Sequence, residues 1–307
     1  MRIVALTLLL TLGLGTVASH AQPSALSQAR RTFKTRVKPK VKGAPADAAP
    51  PEVFKTIAYP AAPGKLKAYV TPDPKDGRKH AAIIWITGGD CNSIGDVWTP
   101  ASPDNDQTAA AYREAGIVMM FPSLRGGNDN PGTKLGFLGE VDDILNAAKW
   151  LEKQPYVNPK RIYLGGHSTG GTMAMLVAES SARFRNVFAF GPVGDVAGYG
   201  ADSGFLPFNI RDDAEVAVRS PIYWLSSVKS PLWVIEGVNQ GNIESLHEME
   251  KVNSNPNIRF LAVAGANHFD VLAPINKLIA QKIRNDFGAR TNIKLTETEL
   301  NQAFAKK

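Results

Sequence analysis

Residues 81–87, Ala-Ala-Ile-Ile-Trp-Ile-Thr, form an unbroken run rich in apolar and β-branched residues that stops at Gly88-Gly89. Such a run offers no polar face to water, so it reads as a strand covered on both sides. Similar runs recur at 116–121, 161–164, 186–190, 231–236 and 258–263. Segments at 108–115, 139–151, 170–180, 220–228 and 243–252 separate them with helical character, and a closing helix is expected at 274–287. Within 139–151, Val141, Ile144, Leu145, Ala148 and Leu151 share one helical stripe. Strands alternating with helices predict an α/β fold, a mostly parallel central sheet with helices on both faces. Residues 53–59 and 65–70, separated by Pro60 and Pro63-Gly64, read as a hairpin of edge strands.

Ligands of such sheets bind at the carboxyl ends of the strands. One motif there carries chemistry. Gly166-His-Ser-Thr-Gly170 has the form G-x-S-x-G between a predicted strand and a helix of small residues, the context in which that pentapeptide marks a nucleophile. Glycines flank the serine because a sharp strand-to-helix turn leaves little room for Cβ atoms. The turn lifts the Ser168 hydroxyl clear of the sheet and aims the Thr169 N–H at a developing oxyanion. Gly89, ending the strand at 81–87, is the candidate for the second donor.

A serine hydroxyl needs a base. His80 precedes a strand and His247 lies within a helix, so neither reaches the carboxyl edge. His167 adjoins the serine but should turn into the packing of the elbow. His268 follows the last strand on a loop at the correct edge, after the serine in chain order, and is the candidate base. Cys91, the only cysteine, excludes an internal disulfide and reads as a small buried hydrophobe. Asp142 and Asp143 lack nearby histidine or cysteine ligands, so a solvated or capping role is expected and no metal site.

The net charge of +7 is local. Seven basic residues and no acid lie between Gln22 and Gly43; without them and Arg2, 27 basic residues face 28 acidic ones. Residues 22–50 read as a basic, then Ala/Pro-rich flexible arm with a possible weak contact to anionic surfaces. No nucleic-acid partner is expected. Arg2, the apolar stretch after it and Ser19-His20-Ala21 have the form of an export signal at 1–21, implying a periplasmic or extracellular protein. Residues 51–290 form the expected catalytic domain and 291–307 a helical tail.

These pieces resemble the prolyl-oligopeptidase and dienelactone-hydrolase-like branch of the α/β-hydrolases. The resemblance rests on Thr87-Gly-Gly, Pro122-Ser-Leu-Arg-Gly126, Glu140-Val-Asp-Asp143, Val157-Asn-Pro-Lys-Arg-Ile162, Gly166–Gly170, Ser220-Pro221, Ser230-Pro231 and His268, in family order. It implies a serine hydrolase acting through an acyl-enzyme on a carboxylic ester or short peptide, without cofactor and without a large cap or propeller. One departure stands out. The family's aspartate after the strand at 231–236 is replaced by Gln240. Glu236 at the strand tip is the first substitute, Glu244 the second, and Asp195 and Asp270 are weaker options. The missing aspartate leaves open a catalytically inactive fold kept for binding.

Overall fold

The computed structural model describes residues 24–38, 43–200 and 206–306. The expected signal at 1–21 lies outside the described residues. Eight strands form one sheet: β1 (Lys55–Ala61), β2 (Gly64–Val70), β3 (His80–Ile86), β4 (Val118–Pro122), β5 (Val157–His167), β6 (Val187–Phe190), β7 (Leu232–Asn239) and β8 (Ile258–Asn267). Their order is β1-β2-β4-β3-β5-β6-β7-β8. β1 and β2 pair antiparallel, as does β2 with β4, and every other pairing is parallel.

The helices are α1 (Ala25–Thr32), α2 (Ala110–Glu114), α3 (Glu140–Leu151), α4 (Thr169–Ser180), α5 (Asp213–Ala217), α6 (Ile243–Val252), α7 (Leu272–Arg284) and α8 (Glu297–Ala305). Two apolar layers flank the sheet. Ile84, Leu164 and Val234 face Val141, Leu176 and Leu246 in one. Ile83, Tyr163 and Ile235 face Tyr112, Ile275 and Leu300 in the other. Alternate residues of each central strand therefore fill opposite layers, which is why those strands are apolar throughout.

Four expectations from the sequence are corrected. Residues 220–228 are two 3₁₀ turns, Pro221–Tyr223 and Leu225–Ser227, rather than one helix. Trp224 between them sits at φ −125°, outside helical geometry. α2 is only five residues long. Its start is delayed because Asp106 Oδ1 takes the Thr108 N–H at 3.0 Å and Ala109 turns left-handed at φ 45°.

The basic arm is not free over its described part. Ser24 caps α1, Leu26 is fully buried, and Ala29, Phe33 and Val37 pack against the core. Arg30 donates to Leu138 O at 2.7 Å and to Asp142 at 2.8 Å. Thr35 and the Arg36 N–H donate to Glu215 at 2.8 and 2.9 Å, and Arg219 reaches Thr35 at 2.7 Å. Residues 24–38, part of the stretch that reads as a flexible arm, form a strap.

Asp143 is likewise not solvated. It is fully buried and receives Arg125 at 2.8 and 2.7 Å and the Arg125 N–H at 3.0 Å. Burial pushes its carboxyl up, and the guanidinium opposes that shift.

Candidate active site

The strand ends decide what meets. Ile86 of β3 pairs with Gly166 of β5, His167 with Phe190 of β6, and Phe190 with Ile235 of β7. Ser168 follows β5 directly at φ 54° and ψ −117°, a conformation side chains rarely adopt, and serves as the N-cap of α4. Its N–H is fixed on Phe190 O at 2.8 Å. The turn closes only because its neighbours are glycines. A Cβ on Gly170 would lie 2.7 Å from Thr87 O, and one on Gly166 would lie 2.6 Å from Gly170 C.

The two candidate oxyanion donors are tied together. Thr169 Oγ1 donates to Gly89 O at 2.8 Å, locking the end of the β3 loop to the first residue of α4. Gly89 holds φ 69° with open space where a Cβ would stand. Cys91, two residues on, is buried. Desolvation first, then Glu140 and Asp90, push its thiol up to about 12, which leaves it an unreactive packing residue.

His268 lies just past β8, nine-tenths buried. Its Nδ1 is 2.8 Å from Glu236 Oε2. Glu236 is fully buried on β7, and its carboxylate also accepts the Gly237 N–H at 2.8 Å and the Asn242 N–H at 3.1 Å. Three donors on one carboxylate fix its position and orient the neighbouring imidazole. Asn242 in turn donates to Gly191 O at 2.7 Å. Gly191 is squeezed between the pair: at φ 55°, its Cβ would stand 2.6 Å from His268 Nδ1 and 2.7 Å from Glu236 Oε2.

The other acids lie elsewhere. Glu244 is exposed in the first turn of α6. Asp195 caps the turn Val196–Tyr199 and takes Ser220 and Tyr223 hydroxyls at 3.3 Å. Asp270 accepts the Asn267 N–H at 2.7 Å, which shapes the His268 loop. Gln240 is exposed at φ 75°.

Sequence reading set His167 aside as elbow packing. It is indeed buried, but its ring lies 4.5 Å from that of His268, centroid to centroid, and its Nε2 is 2.9 Å from His268 O. Burial first, then the neighbouring His268, depress its pKa to about 3, so it stays neutral. Phe269 stands exposed, edge-on to His268 at 4.9 Å. Asn242 also escaped the sequence reading, because its partners Glu236 and Gly191 are fixed by folding rather than by spacing.

A strained serine at a strand-to-helix turn, with a His–carboxylate pair at the ends of later strands on the same edge, here β7 and β8, is the working core of the α/β-hydrolase class. The sheet order and the G-x-S-x-G turn put the chain in that class. The model of the prolyl oligopeptidase family of peptidases matches residues 103–269, more than half of the chain, and the chain belongs to that family. The family is one of serine hydrolases of peptidase type.

Among relatives, it is similar to the uncharacterized peptidase YtmA of Bacillus subtilis, 23% identical over 62% of this chain and 75% of that one. It is also 26% identical to the inactive dipeptidyl peptidase 10 of Mus musculus, over 42% of this chain and 16% of that protein. The fold is shared with the crystal structure of a puromycin hydrolase, with TM-score 0.61 and 17% identity over 80% of this chain and 42% of that one. The chain thus spans less than half the length of the last two.

Proposed function

We propose that this chain is an exported serine peptidase that cleaves short peptide amides, and carboxylic esters of similar shape, through an acyl-enzyme on Ser168. The observation that carries the reading is the His268 Nδ1–Glu236 Oε2 contact of 2.8 Å at the edge where Ser168 is held in its strained turn. His268 Nε2 takes the Ser168 hydroxyl proton as Oγ bonds to the substrate carbonyl carbon. Glu236 holds the imidazole in the tautomer that presents Nε2 and steadies the imidazolium that forms. The Gly89 and Thr169 N–H groups take the charge that moves onto the carbonyl oxygen. Collapse breaks the carbonyl–nitrogen bond, and His268 returns its proton to the leaving amine. Water, deprotonated by His268 in its turn, then releases the acid and restores Ser168.

Labelling with a fluorophosphonate probe tests this directly. The expected result is one adduct per chain that is lost in Ser168→Ala; folded protein that never labels would establish instead the inactive binding fold. That second reading drew on Gln240 standing in place of the family's aspartate; the Glu236 carboxylate beside His268 supports the active one. Export is tested by amino-terminal sequencing of the protein from fractionated cells, with Gln22 expected as the first residue.

A further inference from the structure

His167 has two ring nitrogens and, being neutral, one ring proton. Where that proton sits is dictated from outside the ring. The Gly88 N–H donates to Gln107 Oε1 at 3.3 Å, so the amide oxygen of Gln107 faces the β3 loop. Its amide nitrogen then has two protons to place. One goes to Asn105 Oδ1 at 2.8 Å and the other to His167 Nδ1 at 2.8 Å. A ring nitrogen that accepts is unprotonated. The proton of His167 is therefore on Nε2, 2.9 Å from His268 O.

The reversed tautomer sets a ring N–H against the Gln107 amide N–H and a ring lone pair against the His268 carbonyl. The clash with the His268 carbonyl falls in a buried spot and the one with Gln107 in a half-buried one, so the first is the costlier. The charged or titratable neighbours do not compete for these bonds. The His268 ring lies tilted against that of His167, and the Glu236 carboxylate is engaged with His268 Nδ1.

We propose that Gln107 is a positioning residue that locks the tautomer of His167 and thereby pins the backbone of His268 against the elbow. This rests on the reading of His268 as the base of Ser168. The bonds run without a break from Gly88, which precedes the candidate oxyanion donor Gly89, through Gln107 and His167 to the carbonyl of His268. Two sides of the reacting group, the oxyanion loop and the base loop, are held to one distance by a single neutral imidazole. The hydrogen bonds of Gln107 go to Gly88, Asn105 and His167, and not to Ser168 or the His268 ring.

The test uses the full chain with isotope-labelled histidine, reading ring nitrogen shifts, with His167 assigned by its loss in His167→Asn. In the wild type, His167 is expected as the Nε2–H tautomer, without titrating between about pH 5 and pH 9. Gln107→Met, which keeps the size and loses the amide, should give mixed tautomers and a kcat lower by about tenfold or more at similar KM. Gln107→Glu still receives the Gly88 N–H but demands a proton on Nδ1, so His167 should become protonated at neutral pH with a comparable loss of kcat. An ordinary wild-type titration near about pH 6.5 would overturn the proposal. So would an unchanged tautomer in both variants, or a changed tautomer with unchanged kcat. If the wild type never reacts with a fluorophosphonate, the functional reading fails on that ground, and the nitrogen spectra report the tautomer lock independently.

Discussion

Gly191 lies in the notch between His268 and Glu236, with room for a hydrogen where any side chain would wedge the two apart. Gly191→Ala should therefore lower kcat far more than it lowers stability. Its Cβ meets both members of a hydrogen-bonded pair, and φ 55° disfavours alanine as well. Steady-state kinetics beside a thermal melt checks this; equal loss of both would count against it.

Glu236→Gln keeps the shape of the side chain and removes its charge. It should reduce kcat by roughly 10³–10⁴, the scale seen when the orienting acid of a triad is made an amide. Gln240→Asp and Glu244→Gln should each leave kcat within about twofold, since surface changes away from a site are near neutral. Hydrolysis rates of the three variants on one substrate decide the matter.

The strap should matter to stability. Leu26 is fully buried, so Leu26→Ala is expected to cost about 2–5 kcal/mol. The reading is a lower denaturation midpoint with activity retained at low temperature. An unchanged midpoint would mean that α1 does not hold to the body.

Glu179 sits fully buried on α4 with no hydrogen-bond partner for either oxygen among the described residues, and desolvation raises its pKa well above the usual carboxyl range. The folded state therefore keeps its proton where the unfolded chain loses it. Below the usual carboxyl range both states are protonated and the site has no pH-dependent effect. Above it, stability falls as pH rises. Glu179→Gln should raise the melting temperature at about pH 8 and change it much less at about pH 4. The opposite ordering would rule out a neutral buried carboxyl.

Much of this was legible in the sequence, and the rest was hidden for definite reasons. Ser168 could be found because its turn demands glycines within a few residues. The parallel strands announced themselves because both of their faces are buried. Glu236 could be named from its place at a strand tip, yet only the folded chain shows which carboxylate reaches His268, since β7 and β8 bring together residues far apart in sequence. Gln107 left no trace, its partners being Gly88 on one side and His167 on the other. The strap was obscured by composition: its basic residues dominate the count, while the spacing of Leu26, Ala29 and Phe33 that docks it is short and easily lost among them.

Ser168 occupies a backbone conformation that its own side chain disfavours. Glycine there would relieve the strain and abolish the nucleophile, so Ser168→Gly should melt higher than Ser168→Ala. Selection for heat resistance alone would push this position away from serine. Under the proposed mechanism the strain serves turnover alone, and a population screened only for heat resistance would be expected to lose the hydroxyl before it loses the fold.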